Sequence, residues 1–86
     1  MANDWKYDCA LDTGGLKCPL PVLKARRVLL GMKPGERLMV IATDPLSAID
    51  VPHFAAESGN RLVAEVRDGE RLKFLLERGG GPAEPA

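Results

Sequence analysis

The sequence has no surplus of charge: twelve basic residues stand against twelve acidic ones in 86 positions. Such a balance supplies no global field to draw the protein onto nucleic acid or an anionic membrane, so neither is expected as a direct partner, and electrostatic recognition has to be local. It also lacks an apolar run long enough to cross a bilayer, and Met1-Ala2-Asn3-Asp4-Trp5-Lys6 is too polar to open a signal peptide. A cytoplasmic location is therefore expected. Cysteine is scarce, limited to Cys9 and Cys18, far below the density of a disulfide-stapled secreted domain, so each thiol is kept reduced for packing or for chemistry. Together with the single His53 these cysteines cannot supply the four ligands of a structural metal site. Beyond Gly14-Gly15 there is no glycine-rich nucleotide loop, and no nucleophile, base and orienter fall at workable positions, which leaves nucleotide and hydrolase chemistry without a foothold.

What is present is ordered by period. Trp5, Tyr7, Cys9 and Leu11 alternate with polar and small residues, which predicts a first strand with Cys9 on its buried face. Thr13-Gly14-Gly15 reads as a loop and Pro19 as a helix start. A first helix is predicted from about Pro19 to Met32, with Val22, Ala25, Val28, Leu29 and Met32 on one arc and Lys33-Pro34-Gly35 as its stop. Leu38 to Thr43 suits a central strand. Asp44-Pro45 then opens a second helix that Gly59 closes, and Pro52 inside it predicts a kink or two short pieces. Leu62, Ala64 and Val66, then Leu72, Phe74 and Leu76, mark a hairpin across Asp68-Gly69.

The order is therefore β-α-β-α-β-β. A right-handed crossover makes the first two strands parallel and the hairpin adds an antiparallel pair. The expected fold is an α/β (α+β) two-layer open sandwich, a mixed four-stranded sheet with both helices on one face. Length allows one domain, residues 1–78, with 79–86 as a disordered tail that has nothing to bury.

Cys18 is the candidate catalytic residue. It directly precedes Pro19, which pushes it toward the extended conformation an N-cap needs, and a cysteine at a helix start is expected to have a lowered pKa. Pro19 and Pro21 flank the sulfur with rigid rings that limit loop movement and hold the thiol proud of the surface. They also leave Leu20 and Val22 as the nearest free amide donors. Between Thr13 and Gly35 the chain carries Lys17, Lys24, Arg26, Arg27 and Lys33 and no acid, which predicts a basic patch favouring an anionic sulfur, with Lys17 closest. Cys9, on a strand face with Tyr7 and Leu11, is expected in the core, and His53 is expected as an exposed helix residue. Nine positions separate the cysteines, so no Cys-x-x-Cys redox pair exists.

Leu11-Asp12, Gly15-Leu16, Cys18-Pro19-Leu20-Pro21, Gly35-Glu36, Asp44-Pro45, Asp50, Pro52, Phe54 and Gly59 together resemble the TusA/SirA-like sulfur-carrier family, over nearly all of Tyr7 to Glu77. The resemblance implies that Cys18 accepts sulfane sulfur as a transient persulfide, with no other cofactor. The donor would be a cysteine desulfurase or a rhodanese-like protein, and the sulfur would pass to an acceptor protein. Supporting roles fall to Lys17, Pro19 and Pro21 on the reading of the residues above, and to Gly15 in the loop before them; the resemblance implies service to tRNA thiolation, molybdenum cofactor metabolism or sulfur oxidation. Two other readings stand beside it. One is a thiol redox protein with Cys9 as the resolving cysteine; the other is a non-catalytic partner-binding module using an apolar strip of Met39, Ile41, Val63 and Leu75 on the helix-free sheet face.

Overall fold

A computed structural model describes residues 5–80. Strand β1 (Cys9–Thr13), helix α1 (Leu20–Leu30), strand β2 (Arg37–Ala42), helix α2 (Ser47–Ser58), strand β3 (Arg61–Asp68) and strand β4 (Arg71–Glu77) follow in the order the sequence predicts. They form one sheet in the order β1-β2-β4-β3, with β1 parallel to β2 and the remaining pairs antiparallel.

The core lies between one sheet face and both helices. Leu38, Val40 and Ala42 of β2 and Leu72, Phe74 and Leu76 of β4 alternate toward it, and Ala25, Leu29, Met32, Val51, Phe54 and Ala55 close it from the helix side. Burying side chains such as Phe74 and Leu29 contributes about 1.5–3 kcal/mol each. Thr13, read as loop from sequence, ends β1 instead, because its buried hydroxyl donates to the Ile41 carbonyl at 2.6 Å.

Several expectations are corrected. β1 begins at Cys9 rather than Trp5, and Cys9 is exposed rather than buried. It shares a face with Leu11, but it opens an edge strand with only β2 beside it, so no neighbour covers it. Helix α2 runs unbroken through Pro52. It starts two residues after Pro45: Asp44 accepts the Leu46 N–H on its side chain (3.1 Å) and the Ser47 N–H on its carbonyl (2.9 Å), forming a turn that leads into the helix. Gly59 closes α2 with φ of 79°, the left-handed conformation glycine tolerates. The hairpin turn is Gly69-Glu70 between the paired Asp68 and Arg71, with positive φ only at Gly69, as a type II′ turn requires.

Strand β3 holds a bulge at Val63, between the pairs Leu62↔Leu76 and Ala64↔Leu75. Opposed residues share a face, so beyond the bulge Ala64 and Val66 lie on the helix-free side with Leu75 and Lys73, while Glu65 and Arg67 turn toward the helix side. Ala64, not Val63, therefore stands opposite Leu75 in the apolar strip. At the end of the hairpin, Asn60 accepts the Gly79 N–H at 2.8 Å. The remainder of the tail, 81–86, lies outside the described residues. No helix among the described residues is long and apolar enough to cross a membrane.

Candidate functional site

Parallel pairing of β1 with β2 brings the chain exits of both strands to one edge, and each exit leads into a helix. The loops after β1 and β2, with the starts of α1 and α2, thus converge at the carboxyl ends of the parallel strands, where open α/β sheets commonly place their sites. Cys18 lies in the first loop.

This loop is tied to the second by side chains. The Gly15 N–H donates to Thr43 Oγ1 at 2.9 Å, and Gly15 needs its glycine freedom there, with φ of 85°. The Cys18 N–H donates to Asp44 Oδ2 at 2.7 Å, while Asp44 Oδ1 takes the Leu46 N–H. One carboxylate thereby holds the cysteine and shapes the turn into α2. Those two backbone donors, followed by the charge of Lys17, hold the Asp44 carboxyl below the usual carboxylate range. The Cys18 thiol itself donates to Asp50 Oδ2, in the first turns of α2, at 2.6 Å.

The arrangement changes two expectations about Cys18. Helix α1 starts at Leu20 with Pro19 as its N-cap, so Cys18 stands one residue outside the cap, joined to Pro19 by a cis peptide. The Leu20 N–H is taken by the Lys17 carbonyl at 2.8 Å and does not face the sulfur as a free donor. The expected lowering of the thiol pKa is also reversed. The hydrogen bond to Asp50 raises it most, then partial desolvation, then the negative charges of Asp50 and Asp44. Carboxylates, not the basic residues of α1, set the field at the sulfur.

The other site residues separate into distinct places. Lys17 is exposed next to Cys18 and acts on Asp44. Pro19 is exposed, whereas the Pro21 ring is fully buried under the start of α1. His53 is exposed on α2, 3.8 Å from Glu57. Cys9 lies at the opposite end of β1, four strand positions from Thr13 or roughly 13 Å. Cys18 is tied to Asp44, past the Ala42 end of β2, whereas Cys9 pairs with Leu38 near its start. The two thiols therefore sit at opposite ends of the strand pair, farther apart than the roughly 7 Å between Cα atoms that a disulfide spans, and both are free. The segments that carry Cys18, Asp44 and Asp50 also expose Leu20, Leu46 and Ile49, the last 69% accessible.

Asp44 and Asp50 are the site residues that reasoning along the chain did not assign. They lie 26 and 32 positions from Cys18. The available signal was topological: parallel first and second strands put the starts of both following helices at one edge, so acids opening the second helix must sit near a cysteine opening the first.

This is a small two-layer domain that presents a loop-held thiol at its surface. The chain belongs to the sulfurtransferase TusA family, whose model matches residues 10–78. It is 43% identical over 72 residues to the sulfur carrier protein TusA of Allochromatium vinosum, a match covering 84% of this chain and 95% of that protein. Its fold is similar to the crystal structure of a SirA-like protein from Desulfitobacterium hafniense, with a TM-score of 0.74 and 20% identity over 84% of this chain and 99% of that one.

Proposed function

We propose that this protein is a sulfur carrier in which Cys18 takes a sulfane sulfur from a donor protein's persulfide and hands it to a cysteine of an acceptor protein. The observation that carries the reading is the exposed Cys18 thiol, fixed through its own backbone N–H by Asp44 and kept apart from the other cysteine. In the first step the Cys18 thiol loses its proton, and the thiolate forms a bond to the outer sulfur of the donor persulfide. The bond between that sulfur and the donor cysteine breaks, and the donor leaves as a thiolate that takes up a proton. An acceptor thiolate then attacks the outer sulfur of the Cys18 persulfide, and Cys18 returns to a thiol. Neither exchange changes the overall oxidation level, so no external oxidant is needed.

Gly15 and Pro19 shape the presenting loop, Pro21 anchors it to the core, and Lys17 balances Asp44 beside it. The exposed leucines and Ile49 on the segments that carry the site suit contact with donor and acceptor proteins, for which a cysteine desulfurase or a rhodanese-like protein is the candidate donor class. Incubation with a persulfidated desulfurase, followed by intact-mass and peptide analysis, tests the reading. Added sulfur on the Cys18 peptide, removable by reductant, is expected. A Cys9–Cys18 disulfide with no sulfur gain from any donor would replace it with the redox reading.

A further inference from the structure

Resting on the carrier reading, we infer that Asp50 and Asp44 make Cys18 selective: they hold it as a thiol against free anionic sulfur species and leave it open to a docked protein donor that brings a positive charge to the pair. Asp50 Oδ2 contacts Sγ at 2.6 Å from α2, and Asp44 Oδ2 holds the Cys18 N–H at 2.7 Å from the loop after β2. The charges acting on the thiol are those two carboxylates, while Lys17 acts on Asp44. A thiol bonded to one carboxylate and held close to a second resists ionisation and repels an approaching anion.

Polysulfide and glutathione persulfide arrive as anions and meet both obstacles. A protein donor can neutralise the pair with a lysine or arginine beside its reactive cysteine. The exposed Leu20, Leu46 and Ile49 supply an apolar rim that helps exclude water as such a surface docks, strengthening the ion contact. The basic character at the sulfur then belongs to the partner, whereas the basic residues of the first helix suggest from sequence that it belongs to this chain.

Two sets of measurements on the Cys9→Ser protein test this, so that Cys18 is the only thiol read. The first compares alkylation by neutral iodoacetamide and anionic iodoacetate across pH. Asp50→Asn, which keeps the shape and an acceptor oxygen, is expected to shift the iodoacetamide profile to lower pH. It should also raise iodoacetate labelling by a larger factor than iodoacetamide labelling. In the unsubstituted Asp50 protein, the bias against iodoacetate should shrink from low salt to 1 M salt, where the Debye length falls to about 3 Å. The second compares sulfur loading from inorganic polysulfide and from a persulfidated desulfurase. Asp50→Asn should speed loading from polysulfide several-fold while giving no gain, or a loss, with the protein donor. An unchanged alkylation profile and reagent ratio would overturn control by Asp50, and equal acceleration from both donors would overturn selectivity. The alkylation set needs no sulfur transfer, so a protein that never loads sulfur defeats the carrier reading while the effect of Asp50 on the thiol is still judged.

Discussion

The two ends of the parallel β1–β2 pair each carry an exposed cysteine, and they differ in everything else. At the starting end, Cys9 is placed by its strand pairing with Leu38 of β2, and Asp8 links β1 to β2 through the Arg37 N–H at 2.9 Å. At the finishing end, Cys18 sits in a loop whose backbone and thiol are both engaged by acids from the second half of the fold. Exposure therefore does not distinguish the thiol proposed to carry sulfur. What distinguishes it is a neighbourhood assembled from separate loops, which gives the sulfur a fixed position and a tuned proton affinity.

The bluntest way to break the comparison is to remove each thiol. Cys18→Ser is expected to abolish sulfur loading, and Cys9→Ser to load at the parent rate, both read by intact mass after exposure to a persulfide donor. Loss of loading in Cys9→Ser would make the starting end part of the chemistry. Removing the supporting acid at each end comes next. Asp44→Ala deprives Cys18 and Leu46 of their acceptor, and should severely lower the rate of loading from a persulfidated protein donor and measurably lower the melting temperature. Asp8→Ala removes one hydrogen bond at the other end and should lower the melting temperature slightly while loading proceeds normally. Equal loading in the two variants would mean that Asp44 is only a turn residue.

A smaller effect separates support from presentation within the Cys18 loop. The Pro21 ring is fully buried, so Pro21→Ala loses two buried methylenes and gains unfolded-chain freedom, a cost of about 2 kcal/mol or ~10 °C in Tm for a domain of this size. Loading per folded molecule should be little changed. A normal Tm with altered loading would restore Pro21 to the role its position beside the sulfur suggests from sequence alone.

Legibility followed the range of the physical cause. Helices, strands and the parallel–antiparallel pattern were readable because period, proline and glycine act locally: Gly59 closes α2 as expected, and does so with a left-handed φ. The cysteine motif was readable for the same reason. Cys9 was misplaced because alternation tells which residues share a face, whereas coverage of that face depends on edge position in the assembled sheet. The bulge at Val63 was hidden inside a run whose alternation looks continuous. The field at Cys18 differs from the one expected because the bases of α1 are near in sequence, whereas Asp50, which touches the sulfur, and Asp44, which holds the Cys18 N–H, arrive only when α2 and the loop before it pack beside α1.

The smallest expected effect is a pH signature that should exist at the Cys18 end. Folding raises the thiol pKa above its ordinary value near 9, chiefly through the Asp50 hydrogen bond, so between the ordinary and folded values the folded chain binds more protons than the unfolded one. Stability then falls as pH rises: the contribution is complete below the ordinary thiol value and lost as pH passes the folded one. Asp44 marks the opposite edge, since its folded pKa lies below the ordinary 3.8; its contribution is present above that value and lost as pH falls through the folded one. Melting curves collected over roughly pH 8 to 10 should show a steeper decline for the parent than for Cys18→Ser, and Asp50→Asn should follow the serine variant. Parallel declines in all three proteins would mean that the contact between Cys18 and Asp50 does not persist in solution, and the electrostatic distinction between the two cysteine ends would fall with it.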